Sequence, residues 1–185
     1  MARCVVAILI CLFCLTSIAA ATDLKINVEP PSQEILIGGS GSYAATVNCS
    51  VEPDTGSHVL TISYYKNNSP TDKLYCDVSL ISAPPGVDPG DVNLVKISST
   101  PSSVTYSWHA PAIGDYVFEI KVSFNQSSQE PIQVGERFII LVSDNKVNTV
   151  IQASATAYAI AIPELLTSAL VGAGILTCFI ASRKL

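Results

Sequence analysis

The stretch Tyr116-Val117-Phe118-Glu119-Ile120-Lys121-Val122-Ser123-Phe124 decides the fold, because large apolar residues recur in it at every second position. That period predicts a β-strand with one face in a core and the other toward water. The same alternation recurs along the middle of the chain, most clearly in residues 43–51, 60–65, 104–109 and 138–142. Shorter strands are predicted at residues 24–28, 35–37, 74–78 and 92–97.

Clusters of Gly, Pro, Asn and Ser separate these stretches, as expected for turns and loops. Eight or nine short strands in about 120 residues predict an all-β domain of two antiparallel sheets packed face to face. Val104, Tyr106 and Trp108 share one face of their strand, which favours core packing for both aromatic rings. Residues 83–91 contain three prolines and are predicted to form an exposed loop without regular structure.

The N-terminus has the three zones of a secretory signal peptide, predicted over residues 1–21. Arg3 precedes an apolar run, and the small residues Ala19-Ala20-Ala21 follow it. Cleavage is predicted after Ala21, with Ala19 as the alternative; an uncleaved membrane anchor is the competing interpretation. A cleaved leader would place the following domain outside the cytosol.

A second apolar segment lies near the C-terminus and is predicted as a transmembrane helix over residues 157–181. Arg183 and Lys184, in a predicted cytoplasmic tail of residues 182–185, supply the positive-inside signal and give type I topology. Polar and small residues 144–156 are predicted to form a stalk. A glycolipid anchor attached at Ser154-Ala155-Thr156 is the main alternative to the helix.

Four residues of the predicted span are candidates for lateral contacts or lipidation. Glu164 follows Pro163 and either pairs with a partner helix or marks the membrane boundary. Ser168 and Gly172 form a small-xxx-small pair that would let another helix approach closely. Cys178 lies near the predicted cytosolic edge and is a candidate for palmitoylation, or is simply a small buried residue.

The predicted domain, residues 22–143, resembles an immunoglobulin-superfamily domain. Cys49 lies where that family has strand B, and Tyr64 where it has its core Trp on strand C. The segment Gly114-Asp115-Tyr116-Val117-Phe118 is similar to the opening of strand F, which implies a tyrosine corner at Tyr116. Phe118 replaces the family's second cysteine and Ala112 replaces an acidic residue, so fibronectin-type, cadherin-like and polycystic-repeat-like sandwiches remain alternatives.

Two cysteines, Cys49 and Cys76, remain in the predicted domain after signal removal. In an oxidising compartment they predict one disulfide, with separate thiols or an intermolecular bridge as alternatives. Three acceptor sequons begin at Asn48, Asn67 and Asn125. Asn67 and Asn125 lie in predicted turns and are expected to be the better N-glycosylation sites.

Composition excludes several function classes. The 185 residues are 49% hydrophobic and 14% charged, with a net charge of −5. Residues 22–155 carry 7 Lys and Arg against 14 Asp and Glu, a charge balance that argues against nucleic-acid binding. His58 and His109 are the only histidines and lack metal-ligand spacing. The sequence therefore predicts neither an enzyme nor a cofactor or metal site.

These features predict a cell-surface, single-pass type I membrane glycoprotein whose ectodomain recognises or adheres to another protein, of unknown identity. A tail of four residues leaves no room for a signalling motif. An accessory subunit of a channel, a receptor or an endoplasmic-reticulum translocon-associated complex is the first alternative, which would place the chain in the endoplasmic-reticulum membrane. A surface coat antigen is the second.

Overall fold

A computed structural model describes residues 24–50, 54–128, 130–146 and 149–161 of the chain. Those residues form eleven strands and one short helix. In chain order these are β1 (Leu24–Glu29), β2 (Ser32–Leu36), β3 (Ser40–Cys49), β4 (Asp54–Lys66), β5 (Ser69–Pro70), β6 (Leu74–Ser82), α1 (Pro89–Val92), β7 (Val95–Thr100), β8 (Ser103–Ala110), β9 (Gly114–Phe124), β10 (Arg137–Lys146) and β11 (Thr149–Ile160).

The strands form two sheets, which confirms the predicted all-β sandwich. One sheet has the order β1-β3-β9-β6 and is antiparallel throughout. The other has the order β2-β11-β10-β4-β8-β7, with β5 attached to β4, and only the β2–β11 pair is parallel. The chain passes from the first sheet to the second between β1 and β2, through the cis peptide bond Glu29–Pro30.

The alternating residues identified in the sequence meet between the sheets. Trp108 on β8 packs against Tyr116 and Phe118 on β9, with ring centroids 5.1 and 5.0 Å apart. Phe124 and Phe138 pack against each other toward the other end of the sandwich, with ring centroids 5.7 Å apart. All five side chains are buried. Aromatic pairs at such distances add stabilisation beyond the apolar area that they remove from water.

The predicted stalk and the start of the predicted span are strand instead. Residues 144–146 belong to β10, and residues 149–158 of β11 (Thr149–Ile160) pair antiparallel with β10. Ala155, Ala157 and Ala159 are buried on its inner face, and Tyr43 donates a hydrogen bond of 2.9 Å from its hydroxyl to the Thr156 carbonyl. Because its inner face consists of small alanines with low β-propensity, this strand shows only a weak alternation pattern in the sequence.

The C-terminal predictions change accordingly. The glycolipid attachment site Ser154-Ala155-Thr156 lies inside β11, where attachment would require removing part of a paired strand. Within the described residues, no helix is long and apolar enough to cross a bilayer. The rest of the predicted span and the tail, including Glu164, Ser168, Gly172 and Cys178, lie outside the described residues, as does the predicted signal peptide.

The structure shares the two-sheet sandwich of immunoglobulin domains, but the strand that resembles strand F lies at a different position. Tyr116 does form the predicted corner, since its hydroxyl donates to the Ala112 carbonyl at 2.8 Å and accepts from the Ala112 N–H at 3.0 Å. However, β9 lies between β3 and β6, in the sheet opposite β4. It therefore occupies the place of immunoglobulin strand E, whereas strand F pairs with strand C.

The predicted Cys49–Cys76 disulfide is wrong. Cys49 lies opposite Gly114 on β9, whereas Cys76 lies opposite Val122, eight positions further along the same strand. At about 3.3 Å per residue this offset is about 26 Å, far beyond the reach of a disulfide. Both cysteines are buried in the core. Burial raises the pKa of the Cys76 thiol to about 12, so this side chain behaves as a small apolar residue.

The proline-rich segment 83–91 is partly ordered, contrary to the prediction. Pro84 is buried, and α1 (Pro89–Val92) begins with Asp88 accepting the Gly90 N–H at 2.8 Å. Gly114, at φ +140°, passes close to Pro84; a Cβ atom there would lie 2.8 Å from Pro84 Cγ. The segment is therefore packed against the start of β9 instead of extending into solvent.

A buried polar cluster lies within the core. Asp144 on β10 accepts hydrogen bonds from Trp108 Nε1 at 3.0 Å and lies 2.7 Å from His58 Nδ1. The three side chains are fully buried, and the His58 ring stacks on Trp108 with centroids 4.3 Å apart. Asp144 thus joins β10 to β4 and β8 through side chains, and His58 is a structural residue with no access to a substrate.

Replacing Asp144 is expected to be costly. Asp144→Ala leaves Trp108 Nε1 and His58 Nδ1 buried without their acceptor and should lower the free energy of unfolding by about 3–5 kcal/mol. Asp91→Ala, at an exposed position, should cost no more than about 0.5 kcal/mol. Urea unfolding followed by the fluorescence of Trp108, the only tryptophan, measures both. Equal losses in the two variants would contradict the assigned role.

Candidate functional site

The chain crosses between the sheets on both sides of the sandwich. On one side the crossing is the short connection from β1 to β2. On the other side, the edge strands β6 and β7 belong to different sheets; residues 83–94, which include α1, connect them, and side chains of β7 and β8 contact β6 across the gap. We call the surface formed by β6 and β7 the open side. Unpaired strand edges are places where proteins acquire partners, unless the edge is protected.

Tyr106 closes the gap between the two edges. It projects from β8, and its hydroxyl donates to Asp77 Oδ1 at 2.7 Å and accepts from the Val78 N–H at 3.2 Å, both on β6. Burial, together with the hydrogen bond to Asp77, raises the pKa of Tyr106 well above its usual value. The hydroxyl therefore stays protonated and can donate across the physiological pH range.

Lys96 of β7 reaches across the same gap. Its Nζ lies 3.9 Å from Asp77 Oδ1 and sits over two aromatic rings, 5.6 Å from the Tyr75 centroid and 5.7 Å from that of Tyr106. A cation held over aromatic faces gains electrostatic stabilisation. Because both Lys96 and Asp77 remain substantially exposed, their ion pair contributes little to stability. The pair can therefore exchange partners at small cost.

Large apolar side chains are exposed along the same two strands. Tyr75 and Ile81 on β6, and Val95 and Ile97 on β7, are all exposed, as is every residue of β7. The strand registers shift between Leu80 and Ser82 and between Lys96 and Ser98. Bulges of this kind re-aim side chains, and here Ile81 and Ile97 are the residues at the shifts.

The chemistry of the open side suits recognition better than catalysis. It offers one aromatic ring and three aliphatic side chains beside an exposed Lys–Asp pair, and aromatic residues are enriched at protein interfaces. Strand addition to β6 is blocked at its middle, because Tyr106 already satisfies the Val78 N–H. Among the described residues, no group of three or more His, Cys, Asp or Glu side chains is arranged to hold a metal ion. His109 is half-buried on β8.

The sequence did not predict the open side, although its alternation indicated that one residue there is exposed. Leu74, Cys76 and Val78 alternate toward the core, so Tyr75 between them had to point outward. No such signal exists for Val95 and Ile97, because the pairing of β7 with β8 shifts at Ile97 and breaks the alternation. β6 and β7 follow one another in the chain, but local pattern does not encode that the connection between them passes from one sheet to the other.

The three sequons differ in their surroundings. Asn67 is exposed in the turn after β4, at φ +51°. Asn125 is half-buried, and its Nδ2 donates to the Asp72 carbonyl at 2.8 Å. Asn48 is half-buried on β3, with Nδ2 donating to Asp115 Oδ1 at 2.6 Å. The amide nitrogen that would carry a glycan is thus engaged at Asn48 and Asn125.

The fold resembles several solved β-sandwiches. The third cohesin ScaC of Acetivibrio cellulolyticus, solved with the ScaB dockerin, is 15% identical over 75% of this chain and 99% of its own, with a TM-score of 0.47. A type I cohesin–dockerin complex from Clostridium thermocellum gives 10% identity, 77% and 99% coverage and a TM-score of 0.44. BcpA, the major pilin subunit of Bacillus cereus, gives 15% identity, 75% and 39% coverage and a TM-score of 0.42.

No protein-family model matches the chain, and no curated protein is similar to it in sequence. These three likenesses are below a TM-score of 0.5 and below 25% identity. They concern the arrangement of strands and carry no information about partners or activity.

Tyr106→Phe should loosen the closure of the open side. Loss of the hydroxyl removes the acceptor of the Val78 N–H, so amide exchange at Val78 should become about fivefold faster, corresponding to about 1 kcal/mol. Tyr75→Phe is the matched control, because it keeps the ring beneath Lys96 and leaves the Val78 contact intact. Residue-resolved hydrogen exchange measures both. An unchanged Val78 rate in Tyr106→Phe would show that this hydrogen bond does not close the edge.

Asn67 is expected to be the most fully glycosylated sequon when the chain passes through the secretory pathway. It is exposed in a turn, whereas the amides of Asn48 and Asn125 already donate to protein acceptors. Asn67→Gln should remove one glycan, and Ser69→Ala, which keeps the asparagine but destroys the sequon, should do the same. Glycopeptide mass spectrometry measures occupancy at each site. Occupancy at Asn48 with none at Asn67 would contradict this ranking.

Proposed function

We propose that this protein is a single-pass type I glycoprotein of the cell surface whose β-sandwich recognises another protein through the open side. The observation that carries the proposal is that Tyr75, Ile81, Val95 and Ile97 are exposed on the two edge strands that the Lys96–Asp77 pair bridges. Single exposed apolar residues are common on soluble proteins, but four large ones on two neighbouring edge strands favour an interaction site.

A protein partner fits this surface better than a small ligand. Tyr75 borders an open depression of about 370 Å³, whereas Ile81, Val95 and Ile97 lie along the two strand edges. A drug-sized ligand requires a concave site that buries most of its surface. Contact through exposed side chains of neighbouring strands is the usual geometry of a protein interface. Tyr75 is the expected anchor, because aromatic residues carry a large share of interface energy.

The membrane location in this proposal depends on the sequence. Its support is the leader-like residues 1–21, the three sequons and the uncharged stretch Leu165 to Ala181.

Crosslinking on intact cells tests the proposal. The full chain is expressed at the surface and treated with a membrane-impermeant crosslinker, and crosslinked neighbours are identified by mass spectrometry. An Ile81→Ser/Ile97→Ser variant should lower the yield of a specific neighbour at least about fivefold, because two apolar contacts at the centre of the interface are lost.

The matched control carries two equally exposed substitutions elsewhere, Ile113→Ser and Val150→Ser. Ile97 and Val150 expose similar fractions of their surface, 56% and 58%. The control should retain the neighbour. Loss of the neighbour in the control but not in the open-side variant would show that recognition depends on Ile113 or Val150 instead of the open side. Absence of any crosslinked neighbour on cells that display the chain would overturn the binding role.

A further inference from the structure

The described chain ends beside a small apolar cluster at one end of the sandwich. β11 finishes at Ile160, and its last residues are bonded on both sides. The Ile37 N–H donates to the Ile160 carbonyl at 2.8 Å, and the Gly135 N–H donates to the Ala159 carbonyl at 2.8 Å. Ile37, its neighbour Leu36 and Val134 are exposed large hydrophobic residues. We call these three residues the exit cluster.

The distance from this cluster to the apolar segment of the sequence is short. Because residues 149–160 form β11, the predicted stalk provides no spacer. Only Ile162, Pro163 and Glu164 separate Ala161 from Leu165, where the uncharged stretch begins. Four residue steps reach at most about 14 Å. In a chain anchored by that stretch, the end of the sandwich around Ile160 has to lie close to the membrane surface.

The groups next to the exit cluster suit an interface with lipid headgroups. Tyr158 lies opposite Arg137 across the β10–β11 pair, and Arg137 is exposed. Tyrosine and cationic side chains are favoured at the boundary between water and hydrocarbon. The Glu136 carboxylate is paired with Lys66 and Lys73. Burial would raise its pKa, but the hydrogen bonds from these lysines and from the Gln133 backbone lower it, so it stays ionised and compensated.

Two exposed acidic residues limit how this end can meet the membrane. Glu34 is exposed on β2, two residues before Leu36, and lies opposite Tyr158 of β11. Glu130 is largely exposed and contacts Lys73 at 3.3 Å. Carboxylates are expected to remain in water, so contact is confined to the tip formed by the exit cluster and does not extend up the strands.

We propose that the exit cluster inserts into the lipid surface and seats the domain directly on the bilayer. This inference rests on the proposed membrane anchoring, and it adds that the folded domain has a fixed membrane-facing end. Burying three exposed apolar side chains in the interface stabilises this seating, in the same way as the apolar face of an interfacial helix.

Depth-dependent quenching of an introduced tryptophan tests the inference. The full chain is reconstituted into phosphatidylcholine vesicles with or without brominated phosphatidylcholine, and Val134→Trp is compared with Ile113→Trp. Val134 and Ile113 are both exposed, at 64% and 50%, but Ile113 precedes β9 at the opposite end of the sandwich. Trp108 is buried in both variants and contributes an equal background.

Val134→Trp should show blue-shifted emission and quenching at least about twofold stronger than Ile113→Trp. Leu36→Trp should behave like Val134→Trp. Equal quenching at the two ends in vesicles that carry the protein on flotation would overturn the seating and leave the anchoring intact. Failure of the full chain to float with vesicles would overturn the anchoring, and the seating with it.

Discussion

The contact on which the structure depends is the packing of Trp108 between the two sheets. Its ring lies against Tyr116 and Phe118 from one sheet and His58 from its own, and its Nε1 donates to Asp144. One side chain therefore fixes the spacing of the sheets and the position of β10 relative to β4 and β8. In a β-sandwich the apolar face of each sheet has to be covered by the other sheet. Here Trp108 lies at the centre of that contact and is held both by ring packing and by its hydrogen bond to Asp144.

The chain crosses between the sheets on both sides of the sandwich, through the short β1–β2 connection on one side and through residues 83–94 on the other. On the side of the longer connection, side chains bridge the edges of β6 and β7. The open side depends on Tyr106, Asp77 and Lys96, whose bonds can rearrange without unfolding either sheet. Local weakness and exposed apolar surface coincide at β6 and β7, and binding surfaces are commonly drawn from such regions. The same bonds also protect the edge, which limits uncontrolled strand addition.

The sequence allowed the sandwich and most of its inner faces to be predicted, because alternation is a local property. β9 and β10 carry large apolar residues at every second position, and β8 carries Trp108 in phase with Val104. β11 was missed because alternating alanines carry a weak signal and continue into an apolar segment. The disulfide was wrong because two cysteines were paired by number alone, whereas their separation depends on register along β9. The open side also depends on which sheet each strand joins, and the sequence pattern indicated only that Tyr75 faces outward.

The two proposals constrain each other through the direction of the strands. β11 runs toward the exit cluster, and β6 and β7 run along the same axis between the two ends of the sandwich. A domain seated on the exit cluster would hold the open side lateral to the membrane normal. A surface in that orientation faces proteins beside it in the same membrane more readily than proteins on an opposing cell. The recognition role and the accessory-subunit role, separate as expectations from the sequence, then converge on a lateral partner, and crosslinked neighbours should be integral to the membrane that carries the chain.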